Sequence, residues 1–433
     1  MDQLFLIFDS LQITFIILGV YWWIWAPIVL FVVFYSVFEL YNQFKYAATL
    51  KWVIIEIKVP QEAHKSLNAM EQIFTALHAI ATPRAPKKLI DKYRKWKSQF
   101  IEGKVQDWLS LETVSISGEI HYYIRVIEKY RTLVEAQIYA HYPDSELSLV
   151  SDYLEQLPPE LPTNDIDLTG VELGLIKNNA YPIKTYSEFE EEGAGKDDFK
   201  IIDPMAPLAE AMSSIGFGEY LVVQILIRST GDKWIKESQI ELDKLWERPV
   251  KAKSNIIGSI LTNIENVVGS IIGGAGGVPE VKKEEKKEGK KFSELGPGLQ
   301  DIIKAMEASF SKLAFETGIW VVYIAPRDRF KGSDRVRMIA AAFKQFSSQS
   351  FNGFKPSYEV DIEKGFRKEA KSQHRRPIFW RRYKSREFPH KPFVLNTEEL
   401  TTVFHFPDIG VKTPALPRIE AKKGEAPHNL PIV

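Results

Sequence analysis

"DWLSLETVSISGEIHYYIRV", residues 107–126, reads as two strands folded about Ser117-Gly118. Apolar and polar positions alternate on both sides of that dipeptide, the period-2 pattern of a half-buried strand. The second strand gathers Ile120, Tyr122, Ile124 and Val126 on one face. Working outward, "KWVIIEIKVP" (51–60) alternates in the same way, with Val53, Ile55, Ile57 and Val59 together. Between the two, Ala63, Leu67, Met70, Phe74 and Leu77 recur at steps of three and four, which predicts an amphipathic helix. "EKYRTLVEAQIYAHYP" gives another helix and "SELSLVSDY" a last short strand. The order β-α-β-β-α-β is the ferredoxin-like split βαβ plan, assigned to residues 49–155.

A proline-rich joint, "LEQLPPELPTND", leads away from this unit and places a linker at 156–169. Residues 170–360 then repeat the plan by element order rather than by residue. A strand is expected around 181–186, then a helix after Asp203-Pro204 through Leu208, Met212 and Ile215. "EYLVVQILIRS" and "GIWVVYIAP" are apolar on both faces and read as central strands. "DRVRMIAAAFKQFSSQ" is a helix through Val336, Ile339, Phe343 and Phe346. The predicted fold class is therefore α+β, with two ferredoxin-like domains.

The second domain carries an insertion at 231–298. There Ile256, Ile257, Ile260, Leu261, Ile264, Val267, Val268 and Ile271 form one apolar stripe. Its opposite face lacks the Lys and Arg of a membrane-surface helix, which favours packing on protein. "VKKEEKKEGKK" reads as a solvated linker, and "GLQDIIKAMEASFSKL" closes the insertion as an amphipathic helix.

At the N-terminus, residues 11–38 carry no charged side chain, enough for one membrane crossing of ~20 residues. Residues 1–48 are thus expected to be an anchor. Either the crossing starts near Trp22 and runs to about Tyr41, or it begins near Ile13 with the tryptophans inside. Asp2, the lack of an N-terminal cation and the length of the run argue against a cleaved signal peptide. Lys45, Lys51 and Lys58 follow the run and none precedes it, so the body is expected in the cytoplasm with the N-terminus outside. That makes a single-pass protein of the cell membrane.

Lys+Arg and Asp+Glu are equal at 56 each, so no whole-chain field draws the protein to nucleic acid or lipid. There is no cysteine, which removes disulfides and thiolate chemistry. No two of the eight histidines stand at metal-ligand spacing on one helix face, and His121 reads as a structural strand residue. "GAGKDD" and "EGKKFS" both lack the earlier Gly and the Ser or Thr after Lys that a phosphate-cradling loop needs. No catalytic, cofactor or metal residue is assigned, and the sequence argues against an enzyme.

One local cluster stands apart, in the segment 361–433 read as a basic stretch and proline-spaced connector. It holds Arg367, Lys371, Arg375, Arg376, Arg381, Arg382, Lys384 and Arg386, with Trp380 interleaved. Cations attract phosphate and aromatic rings stack on bases, so contact with nucleic acid or with acidic lipid is one reading. A solvated cytoplasmic loop is the equal alternative.

Several long segments carry a resemblance: "EIHYYIRVIEKYRTLVEAQIYAHYPDSEL", "DPMAPLAEAMSSIGFGEYLVVQILIRSTGDKW", "FETGIWVVYIAPRD", "AAFKQFSSQSFNGFKP" and "KPFVLNTEELTTVFHFP". In this order they resemble an uncharacterised membrane-anchored module of candidate-phylum bacteria. In that family the module precedes an ATPase like the coupling proteins of type IV secretion and conjugation. A ribbon like "TPALPRIEAKKGEAPHNLPIV" leads there into the motor, whereas this chain stops at Val433 without Walker motifs. The resemblance implies a non-enzymatic accessory or assembly module for a DNA-translocating ATPase acting in trans. The competing expectation is a membrane-tethered envelope scaffold with no DNA role. Partners consistent with these readings are the lipid bilayer, a hexameric-type translocase ATPase, DNA or acidic lipid, and further copies of the chain.

Overall fold

The hairpin at Ser117-Gly118 seeds a nine-stranded antiparallel sheet. Ser117 (φ 54°) and Gly118 (φ 95°) both adopt the left-handed region, as a two-residue hairpin turn requires. The computed structural model describes residues 19–20, 22–59, 67–80, 89–193, 203–246, 295–362, 367–389 and 391–407. A long apolar helix α1 (Trp22–Thr49) leads into β1 (Trp52–Lys58), α2 (Leu67–Leu77) and α3 (Leu89–Trp96). The first half continues through β2 (Leu109–Ile116), β3 (Glu119–Ile127), α4 (Arg131–His141) and β4 (Glu146–Val150). The second half opens with β5 (Ile166–Leu175), α5 (Tyr186–Gly193), α6 (Ala206–Ser213) and β6 (Tyr220–Ser229). After α7 (Lys233–Leu245) and α8 (Pro297–Phe310) come β7 (Ala314–Pro326), α9 (Gly332–Ala342) and β8 (Phe354–Glu359). The last elements are α10 (Lys368–Lys384), β9 (Phe393–Asn396) and α11 (Thr397–Val403).

The strand order is β4-β1-β3-β2-β6-β7-β5-β8, with β9 also paired to β7. Every ladder is antiparallel, and the middle one joins β2 to β6 from Leu109↔Ile227 to Ile116↔Tyr220. The two halves thus share one sheet instead of forming two domains on a linker. Two further expectations are corrected. Residues 181–186 are not a strand; β5 begins at Ile166, inside the expected linker, and provides the opening strand of the second half. Its inward Gly170 and Glu172 hide the apolar alternation that would have revealed it. The C-terminal segment is not only a connector. β9 pairs with β7 between Ala314↔Asn396 and Thr317↔Phe393, and Leu395, Leu400, Val403, Phe404 and Phe406 lie in the core.

Each face of the sheet has its own core. Leu221, Val223, Ile225 and Ile227 of β6 join the core under α2, α4, α6, α9 and α11. Val222 and Leu226, on the other side of the same strand, pack with Phe379, Trp380 and Tyr383 of α10. Strands that read as apolar on both faces are therefore sandwiched between two helical layers. Helices α7 and α8 meet edge-to-face through Trp234 and Phe310, with centroids 5.7 Å apart. The isoleucine stripe between them, the charge run at 281–291, both glycine-lysine loops apart from Gly193, and the ribbon after residue 407 lie outside the described residues.

Helix α1 has its segment Ala26–Thr49 long and apolar enough to cross a membrane, and none of it is buried against the protein. At the other end, Asn396 caps α11: its side chain accepts from the Glu399 amide (2.8 Å), and Glu399 accepts from the Asn396 amide (2.8 Å). The other Glu399 oxygen accepts from the Ile183 amide (2.9 Å), tying α11 to the segment before α5.

Two predictions follow from this packing. A Cβ on Gly170 would overlap the Phe379 ring and come within 2.6 Å of the Val321 carbonyl oxygen. Gly170→Ala should therefore lift α10 from the sheet and lower stability by about 1–3 kcal/mol in urea unfolding. Burial pushes the Glu399 carboxyl up to about 7 despite the amides of Asn396 and Ile183, against 4.5 for the free group. The native state then holds the proton more tightly, so this group lowers stability as pH rises from 4.5 to about 7. Glu399→Gln should remove that part of the decline when unfolding midpoints are compared across the window.

Candidate functional site

The predicted basic cluster folds as α10 and lies across the sheet face opposite the main helical layer. Its aromatic residues point inward. Trp380 is 1% exposed, donates from Nε1 to the Pro159 carbonyl (3.0 Å), and has no face open to a base. Phe379 packs over Gly170 and meets Trp320 edge-on at 5.0 Å. The helical spacing of Phe379, Trp380 and Tyr383 was the available signal for burial, because a stacking platform needs its rings in solvent.

Three of the arginines are engaged by carboxylates of the sheet and its loops. Arg376 contacts Asp167 (2.6 Å) and Asp361 (2.9 Å). Arg382 contacts Glu172 of β5 (2.6 Å) and Glu387 (3.3 Å). Arg386, 1% exposed, reaches Glu112 of β2 (2.7 Å) and grips Asp152 at 2.6 and 3.0 Å. Arg375 is half-buried, donating to the Glu359 carbonyl (2.7 Å) with its guanidinium over Tyr358. Lys384 lies over the Trp380 ring. Arg367, Lys371 and Arg381 are exposed. The cations thus lie on α10 or next to its ends, and the fold turns most of them toward the protein.

Arg386 holds the most constrained position. It follows the end of α10 in a left-handed conformation (φ 51°), donating to the Tyr383 carbonyl, while Glu387 donates to that of Arg382. This is a Schellman cap, where glycine is the usual residue and a side chain costs about 1–2 kcal/mol. The conformation aims the guanidinium at the centre of the β2–β6 ladder. There Glu112 faces Gln224 in register. Glu112 accepts from Ser110 (2.6 Å), Tyr153 (2.8 Å), Gln224 (3.2 Å) and Arg386, and the Tyr153 and Tyr383 hydroxyls lie 2.6 Å apart. Burial alone would raise the Glu112 carboxyl; the Arg386 charge and these hydrogen bonds outweigh it and hold the group below its ordinary value. Arg125, at the edge of this network, is pulled down to about 10 by burial and then by the Arg386 charge.

The chemistry available here is cohesion. Glu112, buried and anionic, is matched by a fully buried cation, and both tyrosine hydroxyls, raised by burial, are hydrogen-bonded within the network. A recess of about 250 Å³ opens near the start of α10, lined by Asp361, Lys368, Glu369, Ser372 and Arg376 among others. No group of three or more metal-ligating side chains occurs among the described residues.

Breaking a buried pair by removing one partner costs about 3–5 kcal/mol, more than the cap strain it would relieve. Arg386→Gly should therefore lower the unfolding free energy by about 2–4 kcal/mol even though glycine suits the cap. Arg381→Glu, on the exposed face, should stay within about 0.5 kcal/mol of the parent. Chemical denaturation of the two variants checks both. Since the Glu112 carboxyl is depressed, its contribution is present above the ordinary carboxylate value and is lost as pH falls through its native value.

The family described as Domain of unknown function (DUF8128) matches residues 38–418. No curated protein matches the chain.

Proposed function

The chain belongs to the DUF8128 family, and from that premise we propose that it is a membrane-anchored assembly module without chemistry of its own. In this reading α1 crosses the cell membrane once and the antiparallel-sheet body lies in the cytoplasm, as the cations after the apolar run suggest. Each half of the sheet is read as a ferredoxin-like unit. Support comes from the shared connectivity: β4-β1-β3-β2 in the first half and β8-β5-β7-β6 in the second run through the same order from opposite edges.

The observation that carries the assembly role is the pairing of an unburied apolar helix with a body whose charged interior is locked. The arginines of α10 fasten a continuous platform, with Arg386, Arg382 and Arg376 each matched to an acid of another segment. Such a platform transmits position and load rather than binding a small substrate. On the resemblance stated above, its partner is a DNA-translocating ATPase of the type IV secretion or conjugation kind, acting in trans. A second reading, an envelope scaffold with no DNA role, is favoured by one specific observation. Trp380 and the paired arginines are turned away from solvent, which leaves little of the cluster for nucleic acid.

Expected outcomes separate these readings. Detergent-solubilised full-length protein should co-purify with a Walker-bearing translocase expressed alongside it, and the pure chain should turn over no ATP. Appreciable ATP hydrolysis by the pure chain overturns the assembly reading. Stable isolation without any motor, together with unchanged envelope association, selects the scaffold.

A further inference from the structure

Helix α3 buries none of its residues, although half of them are apolar or aromatic. Leu89, Ile90, Tyr93 and Trp96 are 82%, 62%, 60% and 42% exposed. On a helical projection they share one side, while Lys92, Arg94 and Lys95, with Asp91 among them, occupy the other. A strongly two-sided helix with aromatics on one face and cations on the other is the pattern of an interfacial membrane helix.

Its position is fixed by α1. The chain leaves α3 through a π-helical turn, Lys97–Ile101, whose Phe100 ring stacks on Tyr35 of α1 with centroids 4.0 Å apart and planes 16° apart. Phe100 also touches Phe38 (5.2 Å) and Trp96 (5.3 Å), and Tyr93 stacks on Trp96 (6.0 Å). Trp96 Nε1 donates to the Tyr35 hydroxyl (3.1 Å), and Asn42 donates to the Phe100 carbonyl (3.0 Å). Gly103, in the left-handed region at φ 65°, lies so close to the Asn42 backbone that no side chain would fit. The helix is thus docked on α1, and the ring stack continues along α1 through exposed Phe31, 6.4 Å from Tyr35, and exposed Phe34, 5.9 Å from Phe38.

These contacts set a depth. Tyr and Trp gather where hydrocarbon meets headgroups, and Tyr35, Tyr93 and Trp96 form such a group. Glu39 and Lys45 follow at once on α1. A crossing that leaves the hydrocarbon at Tyr35 to Phe38 keeps Glu39 and Lys45 outside it. A crossing that ended at Tyr41 would place Tyr35 roughly 9 Å deeper. It would draw the neighbouring Lys95 and Lys97 toward hydrocarbon, where each cation is strongly disfavoured.

We propose that α3 lies in the headgroup layer of the leaflet from which α1 emerges, as a second, peripheral membrane contact. Leu89, Ile90, Tyr93 and Trp96 enter the acyl boundary, and Lys92, Arg94, Lys95 and Lys97 meet anionic phosphate headgroups. The occupant of this face is an acidic lipid surface. Charge complementarity and continuity with the apolar surface of α1 both select it. The inference rests on the reading of α1 as a membrane span.

The chain has no cysteine, so single-cysteine spin labels can be placed without background. Labels at Phe31, Ile90, Tyr93 and Lys92 would be read in the full chain, reconstituted in phosphatidylcholine vesicles with or without phosphatidylglycerol, by their accessibility to oxygen and to a water-soluble nickel chelate. The expected pattern in anionic vesicles is oxygen-accessible labels at Phe31, Ile90 and Tyr93, and a water-accessible label at Lys92. Reversing Lys92, Arg94 and Lys95 together to Glu should shift the seated-to-free ratio at Ile90 about a hundredfold there, at about fivefold per cation. Labels at Ile90 and Tyr93 as wet as Lys92 while Phe31 stays in lipid would overturn this inference alone. A water-exposed Phe31 overturns the membrane span beneath it. Seating that is insensitive to the charge reversal overturns the acidic-headgroup assignment.

Discussion

The ladder between β2 and β6 is the constraint on which the described body depends. It converts two four-stranded halves into one sheet, and it does so with two strands that are buried along nearly their whole length. Backbone groups in such a ladder have no water to fall back on, so the pairing must be complete. At its middle, Glu112 and Gln224 place polar side chains on a buried face. An anion there is tolerable only with a cation of matching geometry, and Arg386 provides it from the end of α10. Helix α10, the segment carrying Asp152 and Tyr153, and the junction of the halves are thereby made interdependent.

This dependence changes the meaning of the basic segment. Eight cations in a short stretch ordinarily advertise a phosphate surface. Here three of them, Arg376, Arg382 and Arg386, are balanced inside the molecule, against nearby Asp361 and against Asp167, Glu172, Glu112 and Asp152 from distant parts of the chain. Arginine suits that task because its planar fork can meet two carboxylates at once, as Arg386 does. The left-handed backbone at Arg386 is the local cost of aiming the side chain at that target.

The membrane side of the chain follows different physics. Helix α1 and α3 make few contacts with the sheet body and leave most of their apolar surface uncovered. What joins them is a stack of aromatic rings around Phe100, a cluster suited to a layer that is partly apolar and partly wet. On the proposed reading, a body fastened by internal ion pairs and a pair of lipid-facing helices would hold position at a membrane.

By itself the sequence determined what is local. The hairpin at Ser117-Gly118, the helix through Met70, Phe74 and Leu77 and the apolar N-terminal run are set by periodicity, turn chemistry and length, each legible over a few residues. β5 was not legible, because Gly170 and Glu172 face a helix that arrives about two hundred residues later and supplies the partners their own neighbours lack. The orientation of α10 was hidden for the same reason. Composition shows that Arg376, Arg382 and Arg386 are cations, but only the tertiary structure brings Asp167, Glu172 and Glu112 within reach of them. Whether a charge faces water or another charge is decided by which distant segment arrives beside it, and Coulomb attraction depends on that distance rather than on separation along the chain.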